Sequence, residues 1–487
     1  MLLAAVDLGS NSFRLEIGRV EGDHILTQGY WKETVRLAGG LDDEMRLSKK
    51  TMDAALDTLA RMNERLRGLP AAQVRAVGTQ TLRLASNAPE FLARAEAALG
   101  YPIEVIAGRE EARLVFEGCT HTLPPSSARR LVVDIGGAST ELIVGRGFVA
   151  ESAESFKVGC VNITTRFFRD GKIDRASLKR AQVAVAAELE EAANVFSSPQ
   201  WDEAFGSSGT VGAVSAVLRA QAWTDGTITA AALQQLRQAL LEAGDIRRLR
   251  LDGLKAERQE VIAGGVAVLS AVFEVLGLDE LRTARGALRV GLLYDLLGRR
   301  ESRDVRDAAV ERMVSRLAID REQASRVTAM AACLFSALEP EASLEQHKTL
   351  AWAAQLHEAG FAVSHNDHHK HGAYLVRHSD MAGFSTPDQE RIATLVLAQR
   401  GNLKKVANHL AERSGANKVL ALRLAVILLH ARRPVNLPAW SLCRNHNGAE
   451  LTLDRAWLGR HPLTQYLLEE EAALWDRAGL PLKLTAR

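Results

Sequence analysis

The sequence predicts an α/β protein with two related lobes in its first 300 residues, followed by a mostly helical part. Three observations lead to this prediction. Short apolar runs of β type alternate with helical segments in the first 300 residues, as in α/β folds. Of the 37 glycines, 29 lie in residues 1–300 and 8 in residues 301–487, so glycine-rich turns belong to the first part. One strand–turn–strand motif also occurs twice there.

The alternating elements follow from local patterns. Strands are predicted where apolar residues run between turn residues, at Leu3–Val6, Phe13–Ile17, Val74–Val77, Ile103–Ile106, Leu131–Ile135 and Glu141–Val144. Helices are predicted over Ser48–Leu66, from Ser86–Asn87 to Gly100, and over Glu110–Glu117. Ser48 is a suitable N-cap for the first helix, because its hydroxyl can accept a hydrogen bond from an amide of the first turn.

An internal repeat divides this part into two lobes. Residues 6–19 (VDLGSNSFRLEIGR) align with residues 133–146 (VDIGGASTELIVGR) at a constant offset of 127. Each copy carries an Asp-x-Gly turn between two strands, at Asp7 and Asp134. We therefore expect two versions of one α/β lobe, over residues 1–122 and 123–300.

Composition excludes several classes of protein. Lys and Arg total 61 and Asp and Glu total 59, so the net charge is only +2. With so little net charge, no nucleic-acid partner is expected, and any anionic ligand must be bound by local clusters of basic residues. Apolar residues at 47% and charged residues at 25% exclude a disordered chain. Four dispersed cysteines indicate a reducing compartment. No apolar stretch reaches the roughly 20 residues of a membrane helix, so we expect a cytoplasmic protein without stable membrane association.

The part after residue 300 differs in composition, since it holds 11 of the 13 histidines. A polar, arginine-rich linker near Gly298–Ser302 predicts a domain boundary. A helical domain is expected over residues 301–435, and a small α+β appendage over residues 436–487 with a helix near Leu463–Arg477.

A basic stretch lies within the helical part. Between Arg391 and Pro434 the only acid is Glu412, and nine minus one gives a charge of +8. The nine basic residues are Arg391, Arg400, Lys404, Lys405, Arg413, Lys418, Arg423, Arg432 and Arg433. Such a track could hold a linear polyanion. The alternative is a set of solvated helix faces whose charge is offset by acids elsewhere in space.

The repeated turns have the chemistry of a phosphate site. Glycine lets the backbone approach a ligand closely, and successive amides with serine hydroxyls can bind an anion. Asp7, Asp134 and Glu141 cannot bind phosphate directly, but their carboxylates can hold Mg²⁺ that bridges to phosphate oxygens. The alternative is a pair of tight structural hairpins. Two copies at one offset favour phosphate binding.

Four motifs in order carry a resemblance to a known family. They are Asp7–Phe13 (DLGSNSF), Val77–Arg83 (VGTQTLR), Gly108–Leu114 (GREEARL) and Asp134–Leu142 (DIGGASTEL). Together they resemble the exopolyphosphatase / guanosine pentaphosphate phosphatase family, within the actin / sugar-kinase / heat-shock ATPase superfamily. Ala138 departs from the family loop, which usually has a third glycine there.

The resemblance implies a fold and cofactors. It implies two actin-like (ribonuclease H-like) lobes that form a cleft, followed by an all-α HD-like domain and a small α+β C-terminal appendage. It also implies Mg²⁺ as the cofactor, with a monovalent cation such as K⁺ as a further candidate, and a homodimer.

The resemblance also implies roles for individual residues. Glu111 is the expected catalytic base, and the expected metal ligands are Asp7, Asp134 and Glu141. The expected substrate-binding residues are Ser10, Asn11, Ser12, Arg14, Arg83, Gly136, Gly137, Ala138 and Ser139.

The residues themselves leave alternatives open for three of these roles. Glu110 and Glu111 begin a predicted helix, and both could merely complement the helix dipole, as acidic first turns often do. The repeat places Arg14 at the position of Glu141, which suggests that one lobe supplies positive charge; Arg14 could equally be an outward strand residue. Arg83 follows a Thr-x-Thr turn and could clamp a phosphate with its guanidinium, or be a surface arginine.

The histidine-rich segment resembles the metal site of HD-type phosphohydrolases but departs from it. That site needs an adjacent His-Asp pair, whereas this chain has His357-Glu358. We therefore expect a vestigial domain whose histidines serve in packing or contact phosphate.

Several functions follow from these features. The first hypothesis is a Mg²⁺-dependent exopolyphosphatase that releases orthophosphate from the end of inorganic polyphosphate, with the attacking water oriented by Glu111. The alternative is hydrolysis of guanosine pentaphosphate to the tetraphosphate. A third hypothesis, an ATP-dependent kinase of the same superfamily, predicts a nucleotide pocket near Gly206–Thr210. A fourth, a non-catalytic scaffold, is disfavoured by the four acidic site residues together.

Overall fold

The chain folds into two compact units, Met1–Asp304 and Val305–Arg487. The structure, a computed structural model, describes residues 1–300, 304–445 and 448–487. Glu301 and Ser302 of the predicted linker lie outside the described residues. No helix in the described ranges is long and apolar enough to cross a membrane.

Eleven strands form two sheets in the first unit. Their bounds are β1 (Leu2–Leu8), β2 (Ser12–Glu21), β3 (His24–Thr34), β4 (Val74–Gly78), β5 (Ile103–Val105), β6 (Arg129–Ile135), β7 (Thr140–Arg146), β8 (Val149–Phe156), β9 (Glu203–Ser207), β10 (Ile228–Thr229) and β11 (Glu280–Thr283). The sheet orders are β3-β2-β1-β4-β5 and β10-β11-β9-β6-β7-β8.

Twelve α-helices accompany these sheets. Their bounds are α1 (Lys49–Leu66), α2 (Gln80–Leu84), α3 (Ala88–Leu99), α4 (Gly108–Thr122), α5 (Cys160–Phe167), α6 (Arg175–Leu189), α7 (Ala193–Phe196), α8 (Ser208–Ala220), α9 (Ala230–Ala243), α10 (Ala256–Gln259), α11 (Ile262–Leu276) and α12 (Leu288–Arg300). Ser48 caps α1 as predicted, since its hydroxyl accepts from the amide of Thr51 at 3.3 Å. Gly100 ends α3 with a φ of 77°, a value that favours glycine.

The repeat appears in the topology as well as in the sequence. In the first sheet β1 pairs antiparallel with β2 and parallel with β4, and in the second β6 pairs in the same ways with β7 and β9. Asp7 lies opposite Arg14, and Asp134 lies opposite Glu141, at equivalent places in the two registers. The repeated turns therefore occupy the same edge of their respective lobes.

The sequence patterns did not reveal β3 and β8. Both are edge strands, and β3 is mostly exposed, with no run of buried residues. Without a buried face there is no apolar alternation from which to predict a strand.

Helices α4 and α12 join the two sheets through a shared core. Their apolar residues pack with Leu3, Ala5 and Val77 of the first sheet and with Val132 and Ile143 of the second. The other face of each sheet is covered by helices of its own lobe.

Glycine permits the close approach of α4 and α12, which predicts a stability effect. A Cβ atom at Gly291 would overlap the carbonyl oxygen of Leu114. Gly291→Ala is expected to force the helices apart and lower the free energy of unfolding by about 1–3 kcal/mol. Urea unfolding of both proteins measures the loss. Gly212→Ala is the control, because nothing lies within 4 Å of its added Cβ; equal stability of the two variants would contradict the prediction.

The second unit is mainly helical. Its elements are α13 (Val305–Arg316), α14 (Arg321–Leu338), α15 (Leu344–Gln355), α16 (His368–His378), α17 (Thr386–Ala398), α18 (Ala407–Leu410), α19 (Arg413–Leu428), β12 (Ser441–Asn445), β13 (Gly448–Leu453), α20 (Arg455–Arg460), α21 (Pro462–Arg477) and β14 (Leu482–Ala486). One apolar core runs from Ala309 to Leu482, so the helices share their core with the three-stranded C-terminal sheet.

Ion pairs with acids outside the predicted basic stretch reduce its local charge. Arg391 pairs with Asp388 at 2.7 Å. Arg423 is 2% exposed and pairs with Glu471 at 2.5 Å. Arg432 pairs with Glu358 and with Asp320. Acids outside the segment thus offset three of its nine basic residues, so the +8 estimate overstated the track.

His357 and Glu358 of the HD-like motif are both buried. The His357 Nδ1 lies 2.7 Å from the Ala354 carbonyl oxygen, and Glu358 accepts hydrogen bonds from Arg432. The Glu358 carboxylate, which would have to bind a metal in an HD-type site, is therefore paired with Arg432 instead. A vestigial role for this motif stays a prediction.

Candidate active site

The turns after β1 and β6 face each other across a cleft in the first unit. The cleft has a volume of about 620 Å³, counted to its open mouth. Eleven of the 13 predicted site residues line it: Asp7, Ser10, Asn11, Ser12, Arg14, Glu111, Asp134, Gly136, Gly137, Ser139 and Glu141. The structure thus brings residues 7–14, the start of α4 and residues 134–141 to one place.

Four carboxylates meet inside this cleft. Asp7, Asp134, Glu141 and Glu111 are 6%, 6%, 1% and 7% exposed. Burial raises the pKa of each; for Glu141 it is raised well above its usual range, and for Glu111 to about 7. Repulsion from neighbouring carboxylates further raises the pKa of Glu111, Asp134 and Glu141, so the group favours a bound cation or proton.

Two partly buried arginines supply the opposite charge. Arg14 Nη1 and Arg289 Nη1 each lie 4.0 Å from Asp7 Oδ2. Arg14 Nε and Arg289 Nη1 are buried, and no described residue accepts a hydrogen bond from either. A buried donor without a partner is costly, so an anionic ligand would satisfy both groups.

Arg83 has a different place from the predicted one. It does not line the cleft; its Nη1 donates to Glu111 Oε2 at 2.8 Å and to the Ile106 carbonyl at 2.9 Å. Its Nε and Nη2 donate to Gln80 Oε1. These bonds hold the Arg83 guanidinium against the Glu111 carboxylate, and a contact of Arg83 with phosphate stays a prediction.

Ala138 also lies outside the cleft lining, at 7% exposure. Its carbonyl oxygen accepts from Asn162 Nδ2 at 3.1 Å. The φ angle of Ala138 is not positive, so alanine adopts this backbone conformation without strain at the position where the family usually has glycine.

Glu110 and Glu111, adjacent on α4, point to different surroundings. Glu110 pairs with Arg113 at 2.8 Å and is part of a buried network that continues through Asp295 to Arg75. Glu111 faces the cleft. Glu110 therefore holds α4 in place through its ion pairs, whereas the Glu111 carboxylate can contact a ligand in the cleft.

Thr79, Ser208, Gly209 and Arg258 also line the cleft but were not among the 13 predicted site residues. The sequence named Gly206–Thr210 only as the nucleotide pocket of the kinase hypothesis, and its pattern did not place it beside the repeated turns. Arg258 lies in α10, more than 110 residues from either repeated turn, and no local motif marks it.

The donor set fits Mg²⁺. Asp134 Oδ1 is buried and has no hydrogen-bond partner in the described part of the chain. Among the described residues, no group of three or more His, Cys, Asp or Glu is arranged to hold a metal ion. Mg²⁺ in phosphoryl-transfer sites is usually held by one or two carboxylates, waters and substrate phosphates, so Asp134 and its neighbour Glu141 would suffice.

The buried carboxylates predict that Glu141→Gln stabilises the metal-free protein. A carboxyl whose folded-state pKa is raised binds its proton more tightly when folded, so its contribution to stability is present below about pH 4.5 and is lost as the pH rises through the raised pKa. Gln removes that charge but can still accept the 2.8 Å hydrogen bond from Ser155. Thermal unfolding in EDTA at pH 8 should give a gain of about 1–3 kcal/mol, and a smaller gain at pH 5. An equal or lower melting temperature at pH 8 would contradict this.

An anionic ligand with many oxygens would accept hydrogen bonds from the buried Arg14 Nε and Arg289 Nη1 and from the amides and hydroxyls of the two turns. Two sheets with a repeated topology around that cleft are the actin-like architecture. The class is therefore an actin-like enzyme of phosphoryl chemistry. More narrowly, the chain belongs to the Ppx/GppA phosphatase family: the family model matches residues 17–300, and the model of its domain III matches residues 305–472. It is thus a hydrolase of phosphoanhydrides.

Individual relatives agree with that assignment. A guanosine-5'-triphosphate,3'-diphosphate pyrophosphatase of Aeromonas hydrophila is 37% identical over 490 residues, which cover 99% of this chain and 98% of that protein. The crystal structure of an exopolyphosphatase from Cytophaga hutchinsonii shares the fold, with a TM-score of 0.55, 24% identity, and coverage of 61% of this chain and 98% of that one. The PPX-GPPA enzyme of Aquifex aeolicus gives a TM-score of 0.51 at 25% identity, with coverage of 60% and 99%.

Proposed function

We propose that this enzyme hydrolyses guanosine pentaphosphate to the tetraphosphate and orthophosphate. The supporting observation is the similarity to the Aeromonas guanosine-5'-triphosphate,3'-diphosphate pyrophosphatase, at 37% identity over nearly the whole length of both chains. Polyphosphate was the first candidate substrate expected from the sequence, and guanosine pentaphosphate was the second. The similarity to the Aeromonas protein favours guanosine pentaphosphate as the first candidate.

In this proposal each residue of the cleft has a separate task. Water attacks the terminal phosphorus, and the bond from that phosphorus to the bridging oxygen breaks. Glu111 orients the water and accepts its proton, and Arg83 holds the Glu111 carboxylate at 2.8 Å. Ser10, Asn11 and Ser139 of the two turns, with Arg14, bind the phosphate oxygens.

We further propose that Asp134 and Glu141 hold Mg²⁺, with Asp7 close by. The metal supplies charge that neutralises the phosphate oxygens during transfer. The unsatisfied Asp134 Oδ1 and the raised pKa values of these carboxyls support the assignment. A monovalent cation such as K⁺ remains a further candidate.

Inorganic polyphosphate is the second candidate substrate. Its terminal phosphate resembles that of the nucleotide, and the Cytophaga relative of the same fold is an exopolyphosphatase. Membership of a phosphatase family favours hydrolysis over the ATP-dependent kinase considered above. A homodimer and a cytoplasmic location stay predictions.

A phosphate-release assay tests the proposal. Purified full-length protein with Mg²⁺ is given guanosine pentaphosphate, long-chain polyphosphate or ATP, and orthophosphate is measured. We expect the highest kcat/KM with guanosine pentaphosphate. Greater activity on polyphosphate would replace the first substrate by the second, and activity on none of the three would overturn the proposal.

A further inference from the structure

Arg289 connects the lobes through Asp7 and Glu16, and two further, more exposed ion pairs connect them beside the cleft. Lys32 Nζ of β3 lies 2.6 Å from Glu257 Oε1 of α10, and Arg36 Nη2 lies 2.9 Å from Glu260 Oε2. Lys32 and Arg36 belong to the first lobe, and Glu257 and Glu260 to the second. We call these four residues the latch.

The latch flanks an arginine that faces the cleft. Glu257 and Glu260 are three residues apart, so they share one side of the α10 turn, while Arg258 is rotated from Glu257 by about 100°. The Arg258 guanidinium lies against Gly209, where a Cβ atom would overlap it, and Arg258 lines the cleft. Pairing of the two glutamates with the first lobe therefore holds the α10 turn that carries Arg258.

The first-lobe side of the latch continues a row of site residues. Asp7 lies opposite Arg14, and Arg14 lies opposite Lys32, across three adjacent strands. Neighbouring strands are about 4.8 Å apart, which puts Lys32 roughly 10 Å from Asp7. That distance is suited to phosphate or ribose groups behind a terminal phosphate bound at Asp7.

We propose that the latch positions Arg258 against the anionic groups behind the terminal phosphate and closes the cleft over the bound substrate. The identity of that substrate rests on the proposed function. Glu257 and Glu260 side chains are 48% and 64% exposed, and exposed pairs are individually weak. The latch can therefore open for substrate entry and close again without a large barrier.

Charge reversal separates positioning from simple attraction. Glu257→Lys adds positive charge near an anionic substrate, so long-range attraction alone would lower KM. Loss of the latch predicts the opposite: KM for guanosine pentaphosphate rises about tenfold, with kcat changed much less. The double variant Lys32→Glu/Glu257→Lys restores an opposite-charge pair and should return KM towards the wild-type value.

Asp53→Lys is the matched control. It makes the same change of charge at a side chain of similar exposure, 46% against 48% for Glu257, and breaks the Arg94–Asp53 pair within the first lobe. It should leave KM unchanged. An unchanged or lowered KM in Glu257→Lys, or no rescue by the double variant, would overturn the proposal.

A distance measurement tests the latch without any turnover. Spin labels are placed at the exposed positions 50 and 179, one in each lobe, by Lys50→Cys and Lys179→Cys. Cys333→Ser and Cys443→Ser remove the exposed cysteines; Cys119 and Cys160 are buried. Glu257→Lys should lengthen or broaden the distance distribution, and the charge-swapped variant should narrow it. Identical distance distributions for the wild type and Glu257→Lys would overturn the latch, even if the protein hydrolyses guanosine pentaphosphate. A longer or broader distribution in Glu257→Lys would support the latch, even if the enzyme uses another substrate.

Discussion

Glu111→Gln is expected to lower the rate of phosphate release by about 10²–10⁴-fold, the usual contribution of a positioned general base. Gln has nearly the same shape and still accepts the hydrogen bond from Arg83, but it cannot take a proton from water. The substrate-binding turns are untouched, so KM should change little. Steady-state kinetics with guanosine pentaphosphate measures both parameters.

The neighbouring Glu110→Gln is the matched control, since it lies on the same helix at 4% exposure. It weakens the pair with Arg113 and should lower the melting temperature while kcat at 25 °C stays near the wild-type value. If Glu111→Gln hydrolyses its substrate at the wild-type rate, Glu111 is not the base. Equal loss of kcat in both variants would mean that the loss comes from the helix instead.

Glu471→Gln should produce the largest loss of stability in the second unit. Glu471 is 3% exposed and accepts two hydrogen bonds from Arg423, at 2.5 and 2.6 Å, and one from Trp475 Nε1 at 2.6 Å. Removing its charge leaves the Arg423 guanidinium buried without a counter-ion. Breaking a buried pair in this way costs about 3–5 kcal/mol, measured as the change in the free energy of unfolding by urea.

A double replacement shows whether the stability lost in Glu471→Gln comes from the unpaired buried charge or from lost packing. Arg423→Met/Glu471→Leu removes both charges, and its stability should lie closer to wild type than that of Glu471→Gln. The polar cost does not vanish entirely, because Arg423 also donates to the carbonyls of Ala398 and Gly401. A double variant less stable than the single one would show that the pair itself is favourable.

The sequence alone predicted the centre of the site because a duplication marked it. The same turn at Asp7 and Asp134 implied two equivalent lobes, and the antiparallel register then placed Arg14 and Glu141 beside those aspartates. Strands with a buried face were predicted within a few residues, because their apolar runs are unbroken.

Contacts between residues distant in sequence could not be predicted. Arg83 was expected to bind phosphate; in the structure it donates to Gln80, Ile106 and Glu111, the last of these 28 residues away, and its contact with substrate stays a prediction. The basic stretch was overestimated for the same reason, since the carboxylate that neutralises Arg423 comes 48 residues later. A charge count along the chain cannot include such partners.

Arg258 and Arg289 show what only the fold can supply. Neither follows the repeated turn, yet Arg258 lines the cleft and Arg289 lies 4.0 Å from Asp7. Arg289 also stacks over the Tyr30 ring, 4.9 Å from its centroid. Both arginines are far in sequence from the repeated turns, and their approach to the site depends on how the two lobes close.

The most direct test of the account is hydrolysis of guanosine pentaphosphate in H₂¹⁸O, followed by mass spectrometry of both products. Attack of water on the terminal phosphorus in the cleft predicts one ¹⁸O atom in the released orthophosphate and none in guanosine tetraphosphate. The same labelling should be absent from the Glu111→Gln protein within the wild-type reaction time. Label in the nucleotide product, or no orthophosphate from this substrate, would contradict the account.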